Sequence, residues 1–175
     1  MKFLAATLTA AFTLACTPHV EGAALSASQA SALEVAARAG ADNQPQSWPK
    51  SAPDFTVVLQ AIVLHESGAC RYLVSKDPRD KDSLGCGQVR VRTASAMAGA
   101  PVSRWMLLND WTLNIELAGR YLADCFTRTH QWKRAIVCYN RGPGRARAMT
   151  PAAVAADPYL RLIQRTIRTV RVSHD

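Results

Sequence analysis

The sequence predicts an all-α fold of about six or seven helices. Two observations carry that expectation. Apolar residues recur at three- and four-residue spacing in several separate stretches, and nowhere do they alternate with the period of two that marks a strand. Capping residues and glycine or proline punctuate those stretches where helices begin and end.

Residues 24–40 are rich in Ala and Ser, with Leu33, Val35 and Ala36 at their centre, and read as a short helix stopped by Gly40. Asn43, Gln44, Pro45, Pro49 and Pro53 mark a linker. Residues 24–50 are therefore set apart as an N-terminal segment, and the compact domain is placed at 51–175. Asp54 is suited to cap the next helix. There Phe55, Val58, Leu59, Ile62 and Val63 share one side while Val57, Ala61 and Leu64 fill much of the rest, the pattern of a central, largely buried helix. Gly68 stops it.

Residues 69–84 are polar and charged and read as a solvated loop. Asp77, Asp80 and Asp82 loosely resemble calcium ligands. Lys76, Arg79 and Lys81 lie among them and no Glu closes the loop, so no metal site is expected. Residues 93–97 form a helix ended by Gly99, and Pro101 opens another carrying Trp105, Met106, Leu107 and Leu108. Trp105 and Trp111 read as core. Asp110 caps a helix whose Ile115, Ala118, Tyr121, Leu122 and Cys125 share a face. Gly119 within it costs about 1 kcal/mol, which a close helix crossing would explain. Residues 127–131 connect to a short helix marked by Trp132, Ala135, Ile136 and Tyr139. Thr150-Pro151 and Asp157-Pro158 each read as a cap followed by a first-turn proline. The last helix sets Leu160, Ile163, Ile167 and Val170 on one face and arginines on the other.

The chain of 175 residues suits one domain and an export segment. Lys2, the apolar residues 3–15 and the small residues after them read as a secretory leader over residues 1–23. Cleavage falls either before Cys16, which would allow a lipid anchor, or near Ala23 or Ala24. Thr13 stands where a lipoprotein signal carries an apolar residue, which favours the second. No other stretch is long and apolar enough to span a membrane. The periplasm, or export to the cell envelope, follows as the expected location. Cys70, Cys86, Cys125 and Cys138 remain after the leader, an even count that points to two disulfides in an exported chain. Of three connectivities, Cys70–Cys86 with Cys125–Cys138 closes the shortest loops; four reduced, buried thiols are the alternative.

The net charge of +8 favours an anionic partner. The arginines after position 140 are not interleaved with stacking aromatics, so nucleic acid is not expected. A wall polymer carrying carboxylates fits the export signal better.

Glu66 is the candidate catalytic residue. It ends an apolar helix, and burial favours the protonated form that acid catalysis of glycoside cleavage needs. A solvated helix-end Glu is the ordinary alternative. In Ser83-Leu84-Gly85-Cys86-Gly87-Gln88-Val89, Gly85 and Gly87 permit unusual backbone angles and close approach, and Gln88 offers a donor and an acceptor to an N-acetyl sugar. A plain turn before a helix would look the same. Tyr139 and Asn140 stand at a helix end beside the turn of Gly142 and Gly144.

Four motifs in order then carry a resemblance: Glu66-Ser67; Ser83-x-Gly85-x-x-Gln88-Val89; Asn114-Ile115 with Gly119 and Tyr121-Leu122; and Tyr139-Asn140-x-Gly142-x-Gly144. Over roughly residues 54–170 the chain resembles the soluble lytic transglycosylase family. The resemblance implies a lysozyme-like helical fold and cleavage of peptidoglycan glycan strands without any cofactor. It also implies a place beside conjugation or secretion machinery, which several small members serve. It assigns the catalytic acid to Glu66, substrate contact or support to Ser67, Gln88, Tyr139 and Asn140, and a structural role to Gly85, Gly87, Asn114, Tyr121 and Gly142. Two departures stand out. The family carries bulky apolar residues where Cys86 and Gly87 stand, so a shortened apolar wall and a wider cleft are expected. His65 occupies a position that is usually less polar; it would either tune Glu66 or simply pack.

Overall fold

The computed structural model describes residues 25–75 and 82–172. The leader with Cys16, and Asp77 and Asp80 of the charged loop, lie outside those residues. Among the described residues the order is α1 (Ala27–Asn43), α2 (Phe55–Ser67), β1 (Ser83–Leu84), β2 (Val89–Arg90), α3 (Val91–Ala98), α4 (Arg104–Asn109), α5 (Trp111–Thr129), α6 (Trp132–Arg141), α7 (Pro143–Ala148), α8 (Pro151–Ala156) and α9 (Pro158–Val172). The all-α reading stands. The short helix α7 differs from the sequence expectation of a stop there: Pro143 stands in its first turn, where its missing N–H costs nothing.

The central helix is α2. Asp54 caps it, its carboxylate accepting from the Thr56 amide at 2.8 Å. Phe55, Val58, Leu59, Ala61, Ile62 and Val63 are completely buried, and α1, α5 and α9 pack around them. Burying a side chain of that kind contributes about 1.5–3 kcal/mol. Even the polar Gln60 is enclosed, and it donates to the Leu33 carbonyl of α1 at 3.0 Å. Gly68, at φ 63°, closes the helix: its N–H donates to the Leu64 carbonyl at 2.9 Å, and the Ala69 N–H donates to the Val63 carbonyl at 3.3 Å.

Helix α1 shares this core through Ala32, Leu33, Val35, Ala36 and Ala39. Gly40 does not stop it. A Cβ there would stand 2.7 Å from the Thr56 Cα, so the glycine serves the close crossing of α1 over α2. The proline-rich stretch after α1 is pinned rather than loose. Trp48 is buried, donates to the Pro53 carbonyl at 2.9 Å and packs edge-on against Phe55 at 4.9 Å.

Other boundaries shift for local reasons. Ser103, not Pro101, opens α4, its hydroxyl accepting from the Met106 amide at 3.1 Å. Only Leu107 of that short helix is buried. Trp105 is therefore 71% exposed and Trp111 37% exposed, against the expectation that both sit in the core. Helix α5 runs on to Thr129 and ends at His130 in the left-handed conformation, φ 53°. Asp110 caps α5 as expected, accepting from Leu113 N–H at 2.9 Å.

The glycine-rich segment is a small hairpin rather than a plain turn. Strands β1 and β2 pair antiparallel, Ser83 with Arg90 and Leu84 with Val89, and β2 runs directly into α3. The structure contains the disulfides Cys70–Cys86 and Cys125–Cys138. The first joins the segment after α2 to the hairpin turn, and the second joins α5 to α6. Among the described residues no helix is long and apolar enough to cross a membrane.

Candidate active site

Glu66 lies in the last turn of α2 and is half-buried. Its Oε1 accepts a hydrogen bond from the Tyr159 hydroxyl at 2.6 Å. Tyr159 is buried, and burial, then the charge of Glu66, raises its pKa well above the ordinary phenol value. The hydroxyl therefore keeps its proton and remains a donor. A hydrogen bond to an ionised acceptor is stronger than one to a neutral acceptor, so this contact is strongest when the acceptor is a carboxylate. His65 packs edge-on against the Tyr159 ring at 5.6 Å, and burial lowers its pKa. Of the two readings of His65, packing describes its ring, and what it packs on is the partner of Glu66.

The chain delivers Tyr159 through a buried cap. Asp157 Oδ1 accepts from Tyr159 N–H at 2.9 Å and from Leu160 N–H at 3.3 Å, which starts α9. Asp157 Oδ2 accepts from Arg141 Nε at 2.6 Å. A buried carboxylate needs such a partner. The pair ties the end of α6, beside Asn140, to the start of α9, beside Tyr159. The sequence marks the helix start at Asp157-Pro158 but does not single out Tyr159. The available signal was a tyrosine on the apolar face of that helix, whose hydroxyl needs a partner when buried.

Tyr139 is buried near Glu66. Its hydroxyl donates to the Gly87 carbonyl at 2.7 Å, and its ring lies 5.2 Å from that of Tyr121. Burial raises its pKa strongly, and the nearby Glu66 charge adds to the shift. Tyr121 supports from behind, its hydroxyl donating to the Cys138 carbonyl at 3.4 Å. Asn114 is fully buried and holds the hairpin turn: it accepts from Gly87 N–H at 2.8 Å and donates to the Leu84 carbonyl at 2.9 Å. Gly85 has φ 73°, and a Cβ there would stand 2.2 Å from the Asn114 amide nitrogen. A Cβ at Gly87 would stand 2.5 Å from that of Ala118. Gly87 thus faces α5 and Tyr139, and Cys86 is buried in its disulfide. Both positions are thus enclosed, Gly87 by α5 and Tyr139 and Cys86 by its disulfide.

Gln88, half-buried at φ 49°, donates through Nε2 to the Gly85 carbonyl at 2.8 Å. Tyr139 is therefore bonded to the turn that carries Gln88 and lies near enough to Glu66 for that charge to raise its pKa. Asn140 is exposed at the end of α6, and Gly142, φ 82°, caps that helix by donating to the Cys138 carbonyl. Ser67 is 1% exposed and works inside the fold. Its hydroxyl donates to Val63 O at 3.1 Å and accepts from Cys70 N–H at 2.8 Å. Its support of the site is therefore indirect: it braces the turn just after Glu66. In that turn Gly68, Ala69 and Cys70 have φ of 63°, 53° and 67°. The two non-glycine residues cost about 1–2 kcal/mol each in that conformation, and the Cys70–Cys86 bridge and the Ser67 hydroxyl help to hold them.

Several described carboxylates are committed elsewhere. Asp54 and Asp110 cap helices, Glu116 and Asp124 pair with Arg120 and Arg128, and Asp157 pairs with Arg141. Among the described residues no cluster of three or more His, Cys, Asp or Glu could hold a metal ion.

A family model, the Transglycosylase SLT domain, matches residues 50–158. No curated protein and no solved structure matches the chain.

Proposed function

The chain belongs to the Transglycosylase SLT domain family, and from that membership we propose that it is a peptidoglycan lytic transglycosylase with Glu66 as its single catalytic acid and base. The observation that carries the reading is Glu66 half-buried at the end of α2, held by Tyr159, with Tyr139 close enough to feel its charge. The two disulfides fit an extracytoplasmic protein.

In this mechanism protonated Glu66 gives its proton to the oxygen that links N-acetylmuramic acid to N-acetylglucosamine. The bond from that oxygen to the muramic anomeric carbon breaks, and the N-acetylglucosamine end leaves as an alcohol. The N-acetyl oxygen of the substrate bonds to the anomeric carbon, giving an oxazolinium species in place of a second protein carboxylate. Tyr159 then stabilises the Glu66 carboxylate. That carboxylate removes the proton of the muramic C6 hydroxyl. The C6 oxygen closes on the anomeric carbon, the oxazolinium opens, and a 1,6-anhydro end forms. No water is consumed, and Glu66 finishes protonated as it began. The alignment of the C6 hydroxyl supplies proximity in place of a bound nucleophile. Gln88 and Asn140 are assigned to the sugar amides and hydroxyls.

Product analysis tests this. Digested peptidoglycan is expected to yield muropeptides lighter than the hydrolytic product by one water. Reducing muramic ends would instead establish a hydrolytic lysozyme that recruits a loop aspartate, and binding without cleavage would establish a wall-binding or scaffold protein. The resemblance to small conjugation- and secretion-associated members supports a role in opening the wall for such a machine. Loss of transfer or secretion on deletion, restored by the wild type but not by Glu66→Gln, is the expected result. Unimpaired transfer contradicts that role.

A further inference from the structure

Arg141 and Asp157 are 16 residues apart, with α7 and α8 between them. Asp157 uses both of its carboxylate oxygens. Oδ2 accepts from Arg141 Nε at 2.6 Å, and Oδ1 accepts from Tyr159 N–H at 2.9 Å and from Leu160 N–H at 3.3 Å. We propose that Arg141 is a positioning residue for the cleavage reaction: by gripping Asp157 it fixes the start of α9, and with it the Tyr159 hydroxyl, against Glu66. This role deepens the reading of Glu66 as the reacting carboxyl and rests on it.

A carboxylate held from one side only can turn about its own bond. The Arg141 contact removes that freedom and aims Oδ1 at the two helix N–H groups. Tyr159 is the second residue of the helix capped in this way. Its hydroxyl sits at the far end of the ring, so a small tilt of the helix start swings it by about 1 Å. A misplacement of that size costs up to about 100-fold in rate, even when its cause lies away from the reacting atoms.

Stability alone accounts poorly for the pair. The Asp157 side chain is 1% exposed and the Arg141 side chain 37%. Taking charges out of water offsets much of their attraction, and apolar side chains of similar size often stabilise a fold as well. Apolar packing would not aim an acceptor at two N–H groups. The pair also differs from Glu116–Arg120 and Asp124–Arg128, which each lie along α5 at four-residue spacing. Arg141–Asp157 instead joins two helix ends, one carrying Asn140 and the other Tyr159. Direct contact between substrate and the exposed part of Arg141 is the rival role.

Two measurements on the full chain test the proposal. In the first, the Glu66 carboxyl is titrated by NMR with carbon-13-labelled glutamate, its signal identified by its loss in Glu66→Gln. A hydroxyl that donates to a carboxylate favours the ionised form, so Tyr159→Phe is expected to move the midpoint to higher pH. Arg141→Gln is expected to move it in the same direction, and the double variant to match Tyr159→Phe alone. An unmoved midpoint in Arg141→Gln overturns the proposal. So does a shift that adds in full to that of Tyr159→Phe, because the guanidinium would then act on Glu66 by its charge and not through Tyr159. Tyr139 of α6 lies close to Glu66, and His65 of α2 packs on Tyr159. Both are present in every variant, so differences between variants exclude them.

In the second measurement, Arg141→Gln is expected to lower kcat on glycan strands about 10-fold with KM unchanged, and to add nothing in the Tyr159→Phe background. A raised KM with wild-type kcat marks a substrate contact and overturns the proposal. Arg141→Gln leaves a buried carboxylate without its partner, so Asp157→Asn is measured beside it, with thermal unfolding to confirm both folds. Asp157→Asn keeps an oxygen for the helix N–H groups and gives Arg141 no charge to grip. The same midpoint and kcat changes are expected of it, and wild-type behaviour in folded Asp157→Asn overturns the proposal. If the wild type cleaves no glycan, the peptidoglycan-cleaving reading fails, and the Glu66 titration still decides whether Arg141 acts through Tyr159.

Discussion

The Tyr159 hydroxyl reaches Glu66 Oε1 at 2.6 Å across 93 residues of chain. The contact joins the end of the central helix to the start of the last one. It rests on the Asp157 cap, so the carboxylate is held by a buried support rather than by solvent.

Tyr159→Phe removes that donor and keeps the ring. A hydrogen bond to a charged group contributes about 1.5–3 kcal/mol, equivalent to about a 10- to 100-fold loss of kcat. Steady-state digestion of glycan strands measures it, with thermal unfolding as a control for the fold. Wild-type kcat in Tyr159→Phe would show that the hydroxyl does not support the reacting carboxylate.

The two disulfides separate stability from activity. Their cysteines are 16 and 13 residues apart, so chain entropy assigns each about 3 kcal/mol. Only Cys70–Cys86 holds the left-handed turn after Glu66 against the hairpin that carries Gln88. Replacing either pair with serine is expected to lower Tm by a similar amount. At a temperature where both variants are folded, only the Cys70–Cys86 variant is expected to lose most of its activity. Equal activities in the two folded variants contradict this.

His65 predicts a pH effect on stability. Burial lowers its pKa from the ordinary value near 6.5. Below about pH 6.5 the unfolded chain takes up a proton that the folded chain resists. Stability from this group is therefore present above that pH and is lost as pH falls towards the folded pKa. Urea unfolding at about pH 7.5 and about pH 5 measures it. His65→Gln is expected to show a smaller loss between those two conditions. An unchanged loss would mean that His65 does not titrate with folding.

The sequence shows its helices well where local chemistry decides them. Asp54, Asp110, Thr150 and Asp157 each mark a helix start, and Gly68 and Gly99 mark two ends. It shows less where distant packing decides. Gly40 looks like a stop because its reason, the backbone of Thr56, comes from another helix. Trp105 looks like core because its size says nothing about the short helix that leaves it outside. The same limit governs the site. The place of Glu66 at the end of α2 and the glycine turn are legible from local pattern, and the short-loop disulfides from spacing; the two-residue strands that flank the turn are too short to show an alternation. Tyr159 is not, because its role depends on a bond formed only when α9 packs back on α2. Cys86 and Gly87 likewise show their partners, a disulfide and the close approach of α5, only in the folded chain.

The central claim is that Glu66 performs both proton transfers. Its most direct test is digestion of purified peptidoglycan by the wild type and by Glu66→Gln, with mass analysis of the released fragments. The wild type is expected to release anhydromuropeptides, and folded Glu66→Gln to release almost none. Release of the same anhydromuropeptides at equal rates by the two proteins would contradict the account.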